Sequence, residues 1–171
     1  METLLRRVIE LKPDHHHAYN ALGYSFADRN LRLPEAKQLI ERALKLAPGE
    51  PFIVDSLGWV EFRLGNLAEA AKLLRQAHAG RPDAEIAAHL GEVLWASGAQ
   101  DEARRVLAEA AQREPGSEAL RATMDRLKVR RITVTGTPVR EGFQPADAAS
   151  CRIALGFDPR RPVLLVMGGS Q

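Results

Sequence analysis

The sequence predicts a mainly α protein: a right-handed α-solenoid of antiparallel helix pairs over residues 1–128, then a short β-α-β fragment of a Rossmann-like domain over residues 129–171. Three observations carry this reading. Pro13, Pro48, Pro82 and Pro115 recur at intervals of 35, 34 and 33 residues, and a period of about 34 is the mark of a helical repeat array. Each repeat places a Leu-Gly pair (Leu22-Gly23, Leu57-Gly58, Leu90-Gly91) ahead of a ladder of small and aliphatic residues. The ladders are Ala36, Ile40, Ala43; Ala70, Leu74, Ala77; and Ala103, Leu107, Ala110. After Lys128 the pattern turns to β-branched and apolar runs broken by Gly and Pro.

Residues 1–12 read as the second helix of a pair standing without its first, with Leu5 and Val8 at ladder positions. A terminal repeat without a polar cap leaves an apolar face uncovered, so self-association through this helix is an expectation, and both ends of the chain look cut. Three full repeats follow at about 14–48, 49–82 and 83–115. Gly23, Gly58 and Gly91 leave room for a neighbouring helix, as Ala36, Ala70 and Ala103 do from the opposite side. Gly65-Asn66 and Gly98-Ala99 end one helix and turn the chain into the next. The first repeat has an extra residue near Asn30-Leu31-Arg32-Leu33, which accounts for its longer interval. Each proline stops a helix, because it breaks an interior turn but is tolerated at a boundary. Residues 117–128 form a capping helix with Ser117 as N-cap and Leu120, Met124 and Leu127 on one face.

Beyond it, Ile132-Thr133-Val134-Thr135 is strand-like, Pro145 to Leu155 a short helix, and Val163-Leu164-Leu165-Val166-Met167 a buried-type strand running into Gly168-Gly169-Ser170-Gln171. Strand, helix, strand and a Gly-rich turn make a fragment of α/β architecture. The junction at Lys128-Val129-Arg130 has no Gly/Ser- or Pro-rich linker.

The Leu-Gly, the Ala ladder and the closing proline of residues 1–127 resemble the tetratricopeptide repeat (TPR). That resemblance implies a concave groove lined by the first helix (helix A) of each pair, with the residue after Leu-Gly pointing into it: Tyr24, Trp59 and Glu92. One turn further stand Asp28, Arg63 and Trp95; one turn earlier, Asn20 and Asp55. Aromatic side chains beside charges suit peptide recognition. Two plainer readings stay open. Trp59 and Trp95 could pack between repeats, and Asp55 with Arg63 could form a local solvated ion pair. The runs Asn20 to Tyr24, Asp55 to Trp59 and Glu85 to Glu92 also resemble a group of proteobacterial TPR proteins, which implies envelope-related scaffolding.

Val134 to Arg140, Leu155-Gly156 and Pro162 to Gln171 resemble one stretch of the bacterial lipid-linked N-acetylglucosaminyltransferase of peptidoglycan synthesis, a two-domain GT-B enzyme. The resemblance covers residues 131–171. It implies that Arg140 lies near a sugar-nucleotide donor site and that Gly168, Gly169, Ser170 and Gln171 line the interdomain cleft. A glycine turn after a strand lets backbone N–H groups approach phosphate. The acceptor domain and nearly all of the donor domain are absent from these residues, and about 40 residues cannot enclose a core. The chain as given is therefore expected to be non-catalytic, the alternative being a truncated or fused glycosyltransferase using UDP-N-acetylglucosamine.

Composition narrows the classes further. Residues 1–127 hold 17 Lys and Arg against 19 Asp and Glu, and residues 128–171 hold 7 against 3, so the array is near neutral and the tail basic. With no aromatic interleaving, the tail arginines read as a solvated surface, and nucleic acid is not expected as a partner. No 18-residue apolar run spans a membrane and no signal peptide is visible, which reads as cytoplasmic, with a periplasmic or envelope-associated parent as the alternative. Cys151 is the sole cysteine, so no internal disulfide forms. His15-His16-His17 lacks the i, i+4 spacing of helical metal ligands, and His78 and His89 stand alone. No metal and no cofactor are expected. The expected partner is a protein or peptide.

Overall fold

The chain divides into two units, Met1–Arg131 and Ile132–Gln171, and the structure, a computed structural model, describes residues 1–129. The β-α-β fragment expected beyond residue 129, with Arg140 and Gly168 to Gln171, lies outside the described residues. Within them are eight α-helices and no strand: α1 (Glu2–Leu11), α2 (His16–Asp28), α3 (Leu33–Leu46), α4 (Pro51–Arg63), α5 (Leu67–Gly80), α6 (Ala84–Ala96), α7 (Gln100–Arg113) and α8 (Glu118–Arg126). None of these helices is long and apolar enough to cross a membrane.

Helix α2 packs most extensively on α3, α4 on α5, and α6 on α7. The helix lengths alternate, 13 residues for α2, α4 and α6 and 14 for α3, α5 and α7, which is the local expression of the repeat period. The two layers then differ. Helices α2, α4, α6 and α8 each touch the next in their layer, whereas no residues of α1, α3, α5 and α7 approach one another within 8 Å between Cα atoms. Long ion pairs bridge that outer layer instead, from Arg6 to Glu35 at 2.6 Å and from Arg75 to Glu102 at 2.8 Å. Close approach on one side and separation on the other curves this unit as a solenoid, with α2, α4 and α6 as its inner layer.

The close approach within each pair depends on the Leu-Gly glycine. A Cβ built at Gly23 would lie 2.6 Å from Ile40 Cγ1 and 2.8 Å from the Ala36 carbonyl oxygen; at Gly91 it would lie 2.6 Å from Leu107 Cγ. The ladder residues opposite are fully buried, including Ala36, Ile40, Ala70, Leu74, Ala103 and Leu107. Helix α4 sits at the centre, and every residue from Ile53 to Glu61 is buried.

The turns between paired helices share one geometry. Gly65 and Gly98 adopt φ of +88° and +86°, and the following N–H returns to a carbonyl five residues back, Asn66 to Glu61 and Ala99 to Leu94, each at 2.9 Å. This 6→1 bond is the Schellman closure. In the first repeat Asn30 takes the glycine's place at φ +55°, and Leu31 N–H bonds Phe26 O at 2.8 Å. The extra residue then forces Arg32 to φ +44°. Asparagine is among the few residues that tolerate this region. Arg32 is held there by Glu2 and by the Phe26 ring 4.5 Å below its guanidinium.

At the ends, α1 buries no residue fully. Leu5 and Ile9, not Val8, reach the core around Leu22, Phe26 and Ile40, because i, i+4 spacing keeps a pair on one face. Leu4 and Leu11 stay exposed. Helix α8 is capped by Ser117, whose Oγ accepts from Leu120 N–H, and it buries Leu120 and Met124 against α6 and α7.

Candidate functional site

The inner layer carries the residues that the repeat frame singles out. Asn20, Tyr24 and Asp28 succeed one another at i, i+4, i+8 on α2, as do Asp55, Trp59 and Arg63 on α4. Spacing of four residues holds each set on one helix face. Glu92 and Trp95 stand on α6.

Three helices meet in one polar cluster. His89 of α6 places Nδ1 3.0 Å from both oxygens of Asp55 on α4, and its Nε2 lies 3.3 Å from the Tyr24 hydroxyl on α2. The Trp59 ring stacks on the imidazole with centroids 4.3 Å apart at 21°. Asp55, Trp59 and His89 are all buried. Since the carboxylate can only accept, Nδ1 carries a proton that it donates to Asp55. Burial alone disfavours the imidazolium, but the Asp55 carboxylate, through its hydrogen bond and its charge, outweighs that cost with help from Glu85 and Glu92, so His89 titrates above the ordinary histidine value. Tyr24 is pushed far upward by burial and by the charges of Glu85, Asp28 and Asp55. It stays a neutral phenol, able to hydrogen-bond but unsuited to act as a nucleophile.

Beside this cluster is an open cavity of about 150 Å³ lined by Asn20, Tyr24, Phe52, Asp55, Ser56 and Glu85. Three buried polar atoms on this layer have no hydrogen-bond partner among the described residues: Asn20 Oδ1, Trp59 Nε1 and Arg63 Nε. A native fold leaves few such groups, and each calls for an explanation.

Of the eight groove residues expected from the sequence, Asn20, Tyr24 and Asp55 border that cavity. Trp59 packs as a buried floor, with Phe62 at 5.3 Å and Arg63 over its ring at 5.9 Å. Asp28 is exposed nearby. The other two turn elsewhere. Glu92 pairs with Arg126 of α8, and Trp95 lies against the core around Leu74, Leu94 and Ala103 with Arg104 5.1 Å over its ring. Asp55 does not pair with Arg63; eight residues along a helix separate them by about 12 Å, and Asp55 pairs with His89 instead.

His89 is thus not isolated, as the sequence reading held. It occupies the position just before Leu-Gly, where the earlier repeats carry Ala21 and Ser56, so the frame marked it as packing. The available signal was distance in sequence: Asp55 and His89 are 34 residues apart, one more than the 33 between Gly58 and Gly91, which brings them near one another on neighbouring A helices. The histidine run, by contrast, is a helix start, where His15 Nδ1 accepts from Ala18 N–H at 3.2 Å. No group of three or more His, Cys, Asp or Glu side chains among the described residues converges on a metal position.

Residues 2–51 and 61–127 match the tetratricopeptide repeat, and the described helices are a TPR α-solenoid. The chain is 54% identical over 92 residues to a TPR repeat-containing protein of Pseudomonas aeruginosa, covering 54% of this chain and 16% of that protein. A 42-residue match at 60% identity links it to the UDP-N-acetylglucosamine–N-acetylmuramyl-(pentapeptide) pyrophosphoryl-undecaprenol N-acetylglucosamine transferase of Thermus thermophilus, covering 25% of this chain and 12% of the enzyme. The chain thus spans about a sixth and an eighth of the curated relatives it matches. Among solved structures, a thermophilic TPR protein of Thermus thermophilus superposes with a TM-score of 0.66 at 22% identity, covering 75% of this chain and 72% of that one. YrrB, described as a TPR protein with an unusual peptide-binding site, gives 0.53 at 23% identity over 75% and 69%. These two likenesses are of fold.

Proposed function

We propose that residues 1–128 are a protein-interaction scaffold that holds a peptide or helix of a partner along the inner layer formed by α2, α4 and α6. The repeats at 14–48, 49–82 and 83–115 are its working units and the helix of 117–128 its cap. One observation carries the reading: an open cavity of about 150 Å³ on that layer is bordered by polar and aromatic side chains of all three helices, Asn20 and Tyr24 from α2, Phe52, Asp55 and Ser56 from α4, and Glu85 from α6. A side chain of a bound polypeptide would fill it. The same layer joins three helices through Tyr24, Asp55 and His89, so it presents a preorganised surface, which lowers the ordering cost of binding.

Trp59 is 5% exposed, so truncating it would cost about 3–5 kcal/mol of stability and would confuse a binding test. Arg63 is the better probe. Panning the full chain against a displayed random-peptide library should enrich binders, and Arg63→Ala should weaken their capture about tenfold or more while leaving the melting temperature within a few degrees. Failure to enrich any peptide, or capture indifferent to Arg63, rejects the groove.

The 42-residue transferase match supports a second reading, a chain related to sugar-nucleotide chemistry through Arg140 and Gly168 to Gln171. Calorimetry with millimolar UDP-N-acetylglucosamine tests it on this chain: absence of heat rejects donor binding here.

A further inference from the structure

We infer that the cavity between α2, α4 and α6 is a pocket for a basic side chain, lysine or arginine, presented by the partner polypeptide. The inference rests on the groove reading above and gives that groove its chemistry. At about 150 Å³ the cavity has the volume that admits a benzene-sized group, enough for an ammonium or guanidinium with part of its stem.

The charged groups around it are carboxylates, and further acceptors stand beside them, with the Asn20 amide N–H and the Tyr24 hydroxyl as donors. Asn20 Oδ1 is buried with no partner among the described residues. The Ser56 hydroxyl donates its proton to the Phe52 carbonyl at 2.9 Å, so the cavity meets its lone pairs. Asp55 has four lone-pair sites, of which His89 occupies the side facing α6. The Glu85 carboxylate is exposed and forms no ion pair with any described residue, and the same holds for Asp28. No lysine or arginine among the described residues lines the cavity. Even with Asp55 neutralised by an imidazolium at His89, Glu85 and Asp28 keep the site net negative.

The Tyr24 phenol at the cavity wall lies in that field: after burial, Glu85, Asp28 and Asp55 are the charges that push it up. Phe52 supplies an apolar wall against which a methylene stem can lie. Its ring already carries the Arg81 guanidinium at 4.5 Å, a cation–π contact of the kind a bound arginine would extend. A ligand carboxylate, by contrast, would face the carboxylates of Asp55 and Glu85. Sequence reading placed Asn20 and Asp55 here but passed over Glu85, which lies outside the Leu-Gly frame at the first turn of α6.

The same peptide panning separates this inference from the groove itself. The enriched peptides should share a lysine or arginine, and replacing it with methionine, which keeps the stem and removes the charge, should weaken binding about tenfold or more. Glu85→Gln should weaken it comparably, Asn20→Ala should weaken it too, and Glu85→Lys should shift the enriched set to acidic residues. Glu85 is exposed, so its two variants should retain the wild-type circular dichroism spectrum. Binding should fall as salt screens the exposed charges. Enriched peptides that depend on Arg63 but lack a basic side chain overturn the pocket and leave the groove standing. Basic peptides indifferent to both Glu85→Gln and Asn20→Ala overturn it as well, since their attraction would be non-specific. No enrichment at all overturns both.

Discussion

Replacing His89 with leucine tests the cross-repeat cluster at its centre. His89 and Asp55 are 8% and 5% exposed, with Nδ1 3.0 Å from both carboxylate oxygens. Leucine fills much of the imidazole's volume but leaves the Asp55 carboxylate without its partner. Removing one member of a buried pair costs about 3–5 kcal/mol, and because Asp55 borders an open cavity the lower end, about 3 kcal/mol, is expected. In an array of this size each kcal/mol moves the melting temperature by about 2–8 °C, so the variant should melt at least about 6 °C lower. Urea unfolding followed by far-ultraviolet circular dichroism, at about pH 6 and again at about pH 8.5, reads both magnitude and cause. The pair raises His89 above its ordinary value, so its stabilisation is fully present below about pH 6.5 and is lost as the pH rises through the folded value. Wild type should therefore weaken between the two pH values by an increment that His89→Leu lacks. A double Asp55→Leu/His89→Leu variant, with both charges gone, should recover most of the loss. A single variant within about 1 kcal/mol of wild type, or one with the wild-type pH slope, would refute a buried charged pair.

Two glycines should respond for opposite reasons. Gly23→Ala drives a methyl to 2.8 Å from the Ala36 carbonyl oxygen; overpacking of about 1–3 kcal/mol outweighs the roughly 1 kcal/mol gained in helix propensity, and an unchanged or higher melting temperature would contradict this. Gly65→Ala meets nothing within 4 Å but sits at φ +88°, so it should lose about 1–2 kcal/mol from backbone strain alone, measured by the same unfolding curves. Glu61 is 4% exposed; burial raises its pKa, but Lys37 at 2.6 Å and Asn66 at 2.7 Å more than reverse this. Its stabilisation is thus present above about pH 4.5 and lost as pH falls through the lower folded value, and Lys37→Met should move acid unfolding to higher pH. Leu4 and Leu11 are 72% and 66% exposed; if copies of the chain associate through α1, Leu4→Lys/Leu11→Lys should give a smaller mass in light scattering, and no change in mass excludes that route.

Much of the fold is legible in the residues because repeats write it several times over. A glycine that must admit a neighbouring helix, an alanine opposite it and a proline that stops the pair are each required by contacts within some 34 residues, so each leaves a mark at a fixed offset. The candidate site is only partly legible for the complementary reason. Asn20, Tyr24, Asp55 and Trp59 follow from the frame, since a helix face is a property of one segment. Glu92 and Trp95 occupy equivalent or adjacent positions yet turn to Arg126 and Arg104, because the next helix offered them partners that no local pattern specifies.

The sequence by itself determined the helices and their pairing, since hydrophobic period, turn residues and steric room are local quantities; which layer faces inward followed only from the likeness to the TPR. Only the tertiary structure decided that His89 reaches back to Asp55 and Tyr24, that Trp59 is buried instead of a protruding anchor, and that Glu85 borders the same cavity as Asp55. Those facts depend on which side chains neighbouring repeats bring within 3 or 4 Å of one another, and where each repeat carries a different residue at the same position, stacking rather than sequence order chooses the partner.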